Sequence, residues 1–328
     1  MEKEALFYEV QGEKIRCKLC PHSCLIAADE HGKCNVRTNR QGKLYTINYG
    51  EMTSVARDPI EKKPLYHFKP GSNILSVGSF GCNFTCGFCQ NHSISQGRAS
   101  SEYISPEKLV EMCKGLEDNI GIAFTYNEPS IWYEYIYHSS KLLKEALKDI
   151  NIVLVTNGYI KEEPLKMLLP HVDAMNIDLK AFTNKYYKDI CGGSVLPVMD
   201  TIKISSKECH VEVTTLLVSG ENDSSEEISE IAGFIASINK DIPLHLSRYF
   251  PNYKMENPAT KVEVMYEDRD IAKKYLNYVY LGNVAGTDNS TYCPKCSYKL
   301  IERDVYHVHV NISEDICPKC GYKINIIL

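Results

Sequence analysis

Apolar and polar positions along the chain fall into short β-like runs separated by amphipathic stretches of helical period. Ile74-Leu75-Ser76-Val77-Gly78, Gly121 to Tyr126, Asn151 to Thr156, Ala174 to Lys180, His210 to Val218 and Pro243 to Phe250 each read as a strand. They are short, rich in β-branched or aromatic residues, and bounded by turn formers. Ser105-Pro106-Glu107 opens a helix with a cap, a first-turn proline and a dipole-matched acid, and Leu109, Val110 and Met112 supply its apolar face. Further helices are expected over about 130–147 and 225–238, and Tyr278 to Leu281 makes a last short strand. Strands alternating with helices predict an α/β fold whose parallel sheet is covered by helices. Upstream, Lys43 to Tyr49 alternates as a strand, and 58–68 reads as a Pro-punctuated crossing into the main domain.

At 328 residues the chain suits one α/β barrel with appendages. Its net charge of -5 gives no basic field, so nucleic acid is not an expected partner. No apolar run approaches the roughly 18 residues of a membrane span. The opening Met1-Glu2-Lys3-Glu4-Ala5 does not resemble a secretory signal, so the expected location is cytoplasmic, without a membrane partner. Fourteen cysteines in such a chain speak for metal, because reducing compartments disfavour structural disulfides.

The cysteines sort by position. Cys82, Cys86 and Cys89 crowd into the loop Gly81 to Gln90, directly after the first main strand. Cysteines so close cannot all pair as disulfides, whereas a cuboidal iron–sulfur cluster takes three thiolates at once and keeps one iron open for substrate. A zinc knuckle or a group of buried thiols is the alternative. Cys17, Cys20, Cys24 and Cys34 form an N-terminal four, which suits tetrahedral zinc or an auxiliary iron–sulfur cluster; the knuckle-like Cys-x2-Cys-Pro leans toward zinc. His22, inside this group, reads as a supporting or solvated residue. Cys293-Pro-Lys-Cys296 and Cys317-Pro-Lys-Cys320 are matched knuckles in β-rich sequence with Val305, Val308, Val310 and Ile312 between them, a zinc-ribbon or rubredoxin-like pattern for which zinc is favoured over iron. Cys113, Cys191 and Cys209 stand alone and read as small buried hydrophobes.

The Cys-x3-Cys-x2-Cys spacing, with Phe88 before its last cysteine, resembles the signature of the radical S-adenosylmethionine (SAM) superfamily. The resemblance implies a partial (β/α)6 TIM-like barrel of the radical SAM type and a [4Fe-4S] cluster whose free iron is chelated by SAM. One electron would then cleave SAM to methionine and a 5'-deoxyadenosyl radical that abstracts hydrogen from a substrate. Cys-x2-Cys-Pro-His, Gly-x-Cys-x-Val-Arg, Asp58-Pro-Ile-Glu-Lys-Lys-Pro-Leu-Tyr-His-Phe68 and Cys-Asn-Phe-x-Cys-x-Phe-Cys-Gln-Asn, in this order, look like the AmmeMemoRadiSam-system radical SAM enzymes, a branch similar to pyruvate formate-lyase activating enzymes. Expected divisions are an N-terminal four-cysteine metal-binding segment and crossing (1–70), the barrel (71–283) and a zinc-ribbon-like domain (284–328). The implied partners are SAM, an external one-electron reductant such as ferredoxin or flavodoxin, and a protein or peptide substrate, a Memo-like protein among the choices.

In such a barrel the chemistry lies at the carboxyl ends of the strands. Tyr126-Asn127-Glu128-Pro129 occupies the place of the superfamily's Gly-Gly-Glu-Pro segment, so the resemblance puts Asn127 and Glu128 at the SAM methionyl amine, although Tyr and Asn replace the two glycines. Thr156-Asn157-Gly158 is similar to an activating-enzyme motif in which Asn157 offers a donor and an acceptor. Alternation sets Asn176, Asp178 and Lys180 on one face of their strand, and the resemblance puts Asp178 and Lys180 near SAM, with Lys180 toward its carboxylate. Glu212 and Thr214 share a face of the fifth strand; His245 and Arg248 on the sixth are candidates for substrate or carboxylate contacts. Two function classes follow: a radical SAM enzyme, with glycyl-radical activation as one version, or an iron–sulfur carrier or metal-stapled adaptor without SAM chemistry.

Overall fold

An eight-stranded sheet runs through the middle of the chain in the computed structural model, which describes residues 2–97 and 99–328; Met1, the start of the expected N-terminal segment, lies outside them. The strands are β1 (Ser54–Pro59), β2 (Asn73–Gly78), β3 (Asn119–Phe124), β4 (Asn151–Thr156), β5 (Ala174–Asp178), β6 (His210–Leu217), β7 (Leu244–Arg248) and β8 (Val279–Gly282). Their order across the sheet is their order along the chain, and the two outermost strands do not pair with each other. The barrel is therefore open. Strands β2 to β8 are parallel throughout, while β1 runs antiparallel to β2.

Helices α1 (Pro106–Lys114), α2 (Tyr133–Ala146), α3 (Glu162–Leu168), α4 (Leu196–Ser205), α5 (Ser225–Ile238) and α6 (Val262–Ala272) fill the crossovers. The expected cap is in place, with Ser105 Oγ accepting from the Lys108 amide at 3.2 Å. The equivalent bond at α5 is from the Glu227 amide to Ser224 Oγ, also 3.2 Å. Such caps satisfy amides that the first helical turn leaves without partners. Ile122, Phe124 and Ile152 are fully buried in the cluster that includes helix residues Leu109, Ile136 and Leu143, whereas Ala123 and Val153 are fully buried on the inner face against Ile60, Leu65 and Phe68 of the crossing segment.

The six predicted strands are present, and Tyr278–Leu281, expected as a minor addition, is the parallel eighth strand at Val279–Gly282. The crossing at 58–68 needs correction. Its first two residues end β1, which the sequence reading missed because Ser-Val-Ala-Arg-Asp-Pro carries little apolar content and only Asp58 of it is buried. An edge strand tolerates this composition and a terminal proline.

The N-terminal segment builds two small antiparallel sheets, one of them from Tyr8–Gln11, Lys14–Cys17 and Leu25–Ile26. It is fixed to α2 by Arg37, whose guanidinium meets the Glu134 carboxylate at 2.7 and 2.9 Å, both side chains fully buried. The C-terminal strands Thr291–Tyr292, Lys299–Asp304 and His307–Val310 form a separate three-stranded sheet. The tail returns to the crossing segment, where the Ile327 amide donates to His67 O at 2.8 Å. Among the described residues, no helix is long and apolar enough to cross a membrane.

Candidate active site at the strand ends

The carboxyl ends of the parallel strands surround a cavity of about 610 Å3. Cys82, Cys86, Phe88 and Cys89 line it from the loop after β2, Asn127 and Glu128 from β3, Asn157 from β4, and Asp178 and Lys180 from β5. Every residue expected at the cluster or at SAM is therefore brought to one place.

Two glycines let the cluster loop pack closely. Gly81 has φ +88°, and a Cβ there would lie 2.6 Å from Val36 Cγ1 and 2.7 Å from Cys34 O. A Cβ on Gly87 would meet Met255 Cγ at 3.0 Å. The loop is held from several sides. Thr85 N donates to Cys191 O at 2.8 Å, Asn127 Nδ2 to Gly81 O at 3.0 Å, and Asn157 Nδ2 to Asn83 Oδ1 at 2.8 Å. Asn157 Nδ2 is also 3.8 Å from Cys82 Sγ, and the Phe84 amide donates to the same sulfur at 3.3 Å. Asn157 is thus spent largely on the loop itself.

Burial pushes the Cys82 and Cys89 thiols up. Cys86 is lowered, first by the adjacent Cys191 thiol and further by the Lys180 charge, against the effect of burial. Among the described residues, the only set of three or more metal-binding groups with all ligand atoms within 4.8 Å of one another is Cys293, Cys296, Cys317 and Cys320. The cavity lining offers three cysteines and, among the described residues, no fourth, so a cluster held there would keep one corner open.

Opposite the loop, Lys180 Nζ lies 2.9 Å from Asp178 Oδ2. Burial opposes its charge, but Asp178 and the Cys86 and Cys191 thiols hold it well above the ordinary lysine range. Glu128 is buried and accepts from the Ser130 amide at 2.9 Å, Thr156 Oγ1 at 2.6 Å and the Asn157 amide at 2.8 Å. Burial raises its carboxyl. It ties the ends of β3 and β4 together while facing the cavity. Tyr126, at the first of the replaced glycines, adopts φ +72°. The backbone there keeps the left-handed conformation that glycine adopts freely, at a cost of roughly 1 kcal/mol for another residue.

Some expected residues lie elsewhere. Asn176 is buried beneath the cavity, donating to Pro64 O at 2.8 Å and accepting from Thr214 Oγ1 at 2.9 Å. His245 is a correction: its Nε2 is 2.6 Å from Glu212 Oε2, and it packs in a buried group with His210, Tyr66 and Tyr280 instead of reaching substrate. Arg248 donates from Nε to Thr260 O at 2.7 Å, outside the cavity lining. His22 does support the site, its Nε2 standing 2.7 Å from Asn83 O.

Sequence reading also missed lining residues. Asp58, Lys62 and Lys63 reach the cavity from the end of β1. Asp58 Oδ2 accepts from Lys63 Nζ and from Tyr126 Oη, both at 2.7 Å. Burial opposes charge there, and the bonds from Lys63 and Tyr126 hold the carboxyl well below its usual range. The Asp-Pro-Ile-Glu-Lys-Lys run was the available signal. Cys191, read as a small buried hydrophobe, is fully buried as expected, but against Cys86.

Comparison with known proteins agrees with this geometry. Residues 76–235 match the Radical SAM superfamily. An uncharacterized protein of Methanocaldococcus jannaschii is 41% identical over 94% of this chain and 93% of its own length. A putative glycyl-radical enzyme activating enzyme of the same organism is 30% identical over 65% of this chain and 80% of its own. Among solved structures, a radical SAM methyltransferase from Sphaerobacter thermophilus shares the fold at 16% identity, with a TM-score of 0.50 over 70% of this chain and 71% of that one. With three thiols at the mouth of an open parallel barrel and relatives of this length and identity, the chain belongs to the radical SAM superfamily of enzymes.

Proposed function

We propose that the chain reductively cleaves SAM at a [4Fe-4S] cluster held by Cys82, Cys86 and Cys89, and that the 5'-deoxyadenosyl radical so formed abstracts hydrogen from a substrate bound at the same cavity. The observation that carries this reading is the one cavity into which three thiols, the Asp178–Lys180 pair and Glu128 all face. An iron–sulfur carrier has no use for that arrangement. When bound, the cluster supplies one electron to the sulfonium and an open iron for the SAM amino and carboxylate groups.

The protein's own part is positioning. Lys180 offers a fixed positive charge to the SAM carboxylate, with Asp178 holding it in place. Glu128 presents a carboxylate toward the amine. Asn127 and Asn157 fix the loop, and Phe88 supplies an apolar wall whose ring centre is 5.6 Å from Lys180 Nζ. Glycyl-radical activation is favoured among hydrogen abstractions by the relative named a putative glycyl-radical enzyme activating enzyme. The order of the early motifs supports the AmmeMemoRadiSam branch, a Memo-like protein or peptide as substrate, and a flavodoxin- or ferredoxin-type reductant. The C-terminal sulfurs, paired at 3.6 Å for Cys293 with Cys320 and for Cys296 with Cys317, suit zinc. Unpaired thiols throughout suit a reducing cytoplasm.

Anaerobic protein reconstituted with iron and sulfide and given SAM and dithionite should yield 5'-deoxyadenosine and methionine. Failure of a cluster-loaded sample to form them would return the chain to the carrier class.

A further inference from the structure

We propose, resting on the SAM-cleavage reading above, that the substrate of this cavity is an acidic and apolar peptide segment, held by a side-chain carboxylate on Lys62 and Lys63 and by an apolar side chain on the exposed hairpin tip Val305–Tyr306. The residues assigned to the cluster and to SAM come from the ends of β2 to β5, and the wall at the end of β1 has no part in that assignment. Its charged lining residues are Asp58, Lys62 and Lys63, an excess of one positive charge.

Asp58 is already filled. Its Oδ1 accepts from Lys62 Nζ at 3.1 Å, and its Oδ2 accepts from Lys63 Nζ and Tyr126 Oη. Lys63 is not: its side chain is 3% exposed, and among the described residues its ammonium, with three N–H donors, has Asp58 as its one hydrogen-bond acceptor. The Tyr126 ring, its centre 4.9 Å from Lys63 Nζ, covers another side of the charge. A buried cation with donors left over beside a cavity needs an acceptor from the ligand, and an anionic acceptor also answers the excess charge.

The same wall continues outward to the C-terminal domain. Lys62, half-exposed at the cavity, has its Nζ 5.9 Å from the ring centre of Tyr306. Val305 and Tyr306 are the two-residue loop that joins Lys299–Asp304 to His307–Val310. Loops of this length favour Gly, Asn or Asp, yet Val305 takes φ +55°, where β-branched residues are seldom found. The two side chains are 73% and 49% exposed, so they do little for the packing of their own domain. The base of the hairpin is fixed, with Arg303 donating to Tyr66 O and Val308 lying against Gly71. A fixed base that carries two apolar side chains on a strained, exposed turn is built for contact with a ligand. One ligand spans the distance from buried Lys63 past Lys62 to this tip only if it is extended, which favours a peptide over a small anion. A basic peptide would meet the two ammonium groups with like charge.

The test uses the whole chain, cluster-loaded without oxygen and supplied with SAM, and reads the fluorescence anisotropy of labelled, carboxy-terminally amidated short peptide mixtures. One mixture combines Asp and Glu with Leu and Phe, a second replaces the acids by Lys and Arg, and a third replaces the apolar residues by Ser. The first should bind, more weakly as salt rises, and the other two should bind at least tenfold less tightly by the usual worth of a charged contact or a buried apolar side chain, about 1.5 kcal/mol or more. Lys62→Gln should weaken the first mixture roughly tenfold and Lys62→Arg should restore it. Val305→Ser/Tyr306→Ser should bring it down to the level of the Ser mixture. These positions are exposed, and unchanged iron content and thermal unfolding confirm that each variant is folded. Equal binding of the acidic and basic mixtures, or wild-type affinity in Lys62→Gln and in the tip variant, would overturn the proposal. So would inorganic phosphate bound without any preference among the peptides, which makes the wall a small-anion site, or a Gly-Ser peptide with a free carboxy terminus bound as tightly as the acidic mixture. Formation of 5'-deoxyadenosine by the wild type is scored apart: cleavage of SAM without peptide preference overturns this proposal alone, and peptide preference without cleavage overturns only the earlier reading.

Discussion

Lys180 and Asp178 form an ion pair of 2.9 Å at the cavity wall, two residues apart where β5 ends, with the Lys180 side chain only 12% exposed. A buried ammonium held in this way is pre-set to meet an anionic group. Lys180→Ala should weaken SAM binding roughly tenfold to a hundredfold, the range for one charged hydrogen bond at about 1.5–3 kcal/mol. Iron content should stay at the wild-type level. Equilibrium binding of SAM to loaded protein checks both, and an unchanged affinity would remove Lys180 from the SAM site.

Cys86 and Cys191 are neighbours, yet only Cys86 lines the cavity. Cys86→Ala should remove the SAM-responsive cluster and abolish 5'-deoxyadenosine formation. Cys191→Ala should keep the cluster, because that thiol packs behind the loop while its backbone oxygen receives the Thr85 amide. Loss of iron in Cys191→Ala would overturn the three-ligand assignment.

Much of this was legible in the sequence because the determinants are local. Strand period, helix caps and cysteine spacing each act within about ten residues, and β2, β5, α1 and the cluster loop follow from them. What escaped depends on long-range pairing. Asp58 lines the cavity only because β1 joins the sheet edge beside β2, a contact made by a strand of weak apolar character. His245 shares a strand face with Ser247, but sits deeper, where Glu212 receives it; alternation tells the face and not the depth. Asn157 was read as a donor to ligand because nothing local reveals that Asn83, 74 positions away, takes its amide.

Arg303 anchors the C-terminal domain. Its guanidinium is buried, donating to Thr291 Oγ1 at 2.7 Å and Asn289 O at 3.2 Å, with the Glu61 carboxylate 3.9 Å from Nε and the Tyr66 ring centre 4.5 Å away. Arg303→Ala strands a buried carboxylate, so a loss of about 3–5 kcal/mol is expected. Denaturant unfolding followed by tyrosine fluorescence would measure it. Removal of residues after Gly286 should destabilise the barrel in the same sense, through loss of the Ile327 and Lys69 contacts. A truncated core that stays folded, binds SAM and yet is inactive would instead give the domain a direct catalytic part.

Asp268, on α6, is 2% exposed, and its Oδ2 has no hydrogen-bond partner. Burial first, and then the negative charges of Asp223 and Glu267, push its carboxyl up to about 7 from an ordinary value of 3.8. In the folded chain the group keeps its proton to near neutrality; in the unfolded chain it releases it near pH 4. Between these values the folded state binds more protons, so stability falls as pH rises through this window. The favourable contribution is complete below about pH 4 and lost above about pH 7. Asp268→Asn stays neutral at every pH and should match the wild type near pH 4 while exceeding it by about 1–3 kcal/mol at pH 8, a fraction of the full linkage because neighbouring charges relax. Urea unfolding of both proteins at pH 5 and pH 8 isolates this group, since all other titrations cancel in the difference. An equal effect at the two pH values would mean that Asp268 is ionised throughout and that its place on α6 is stabilised by something other than a retained proton.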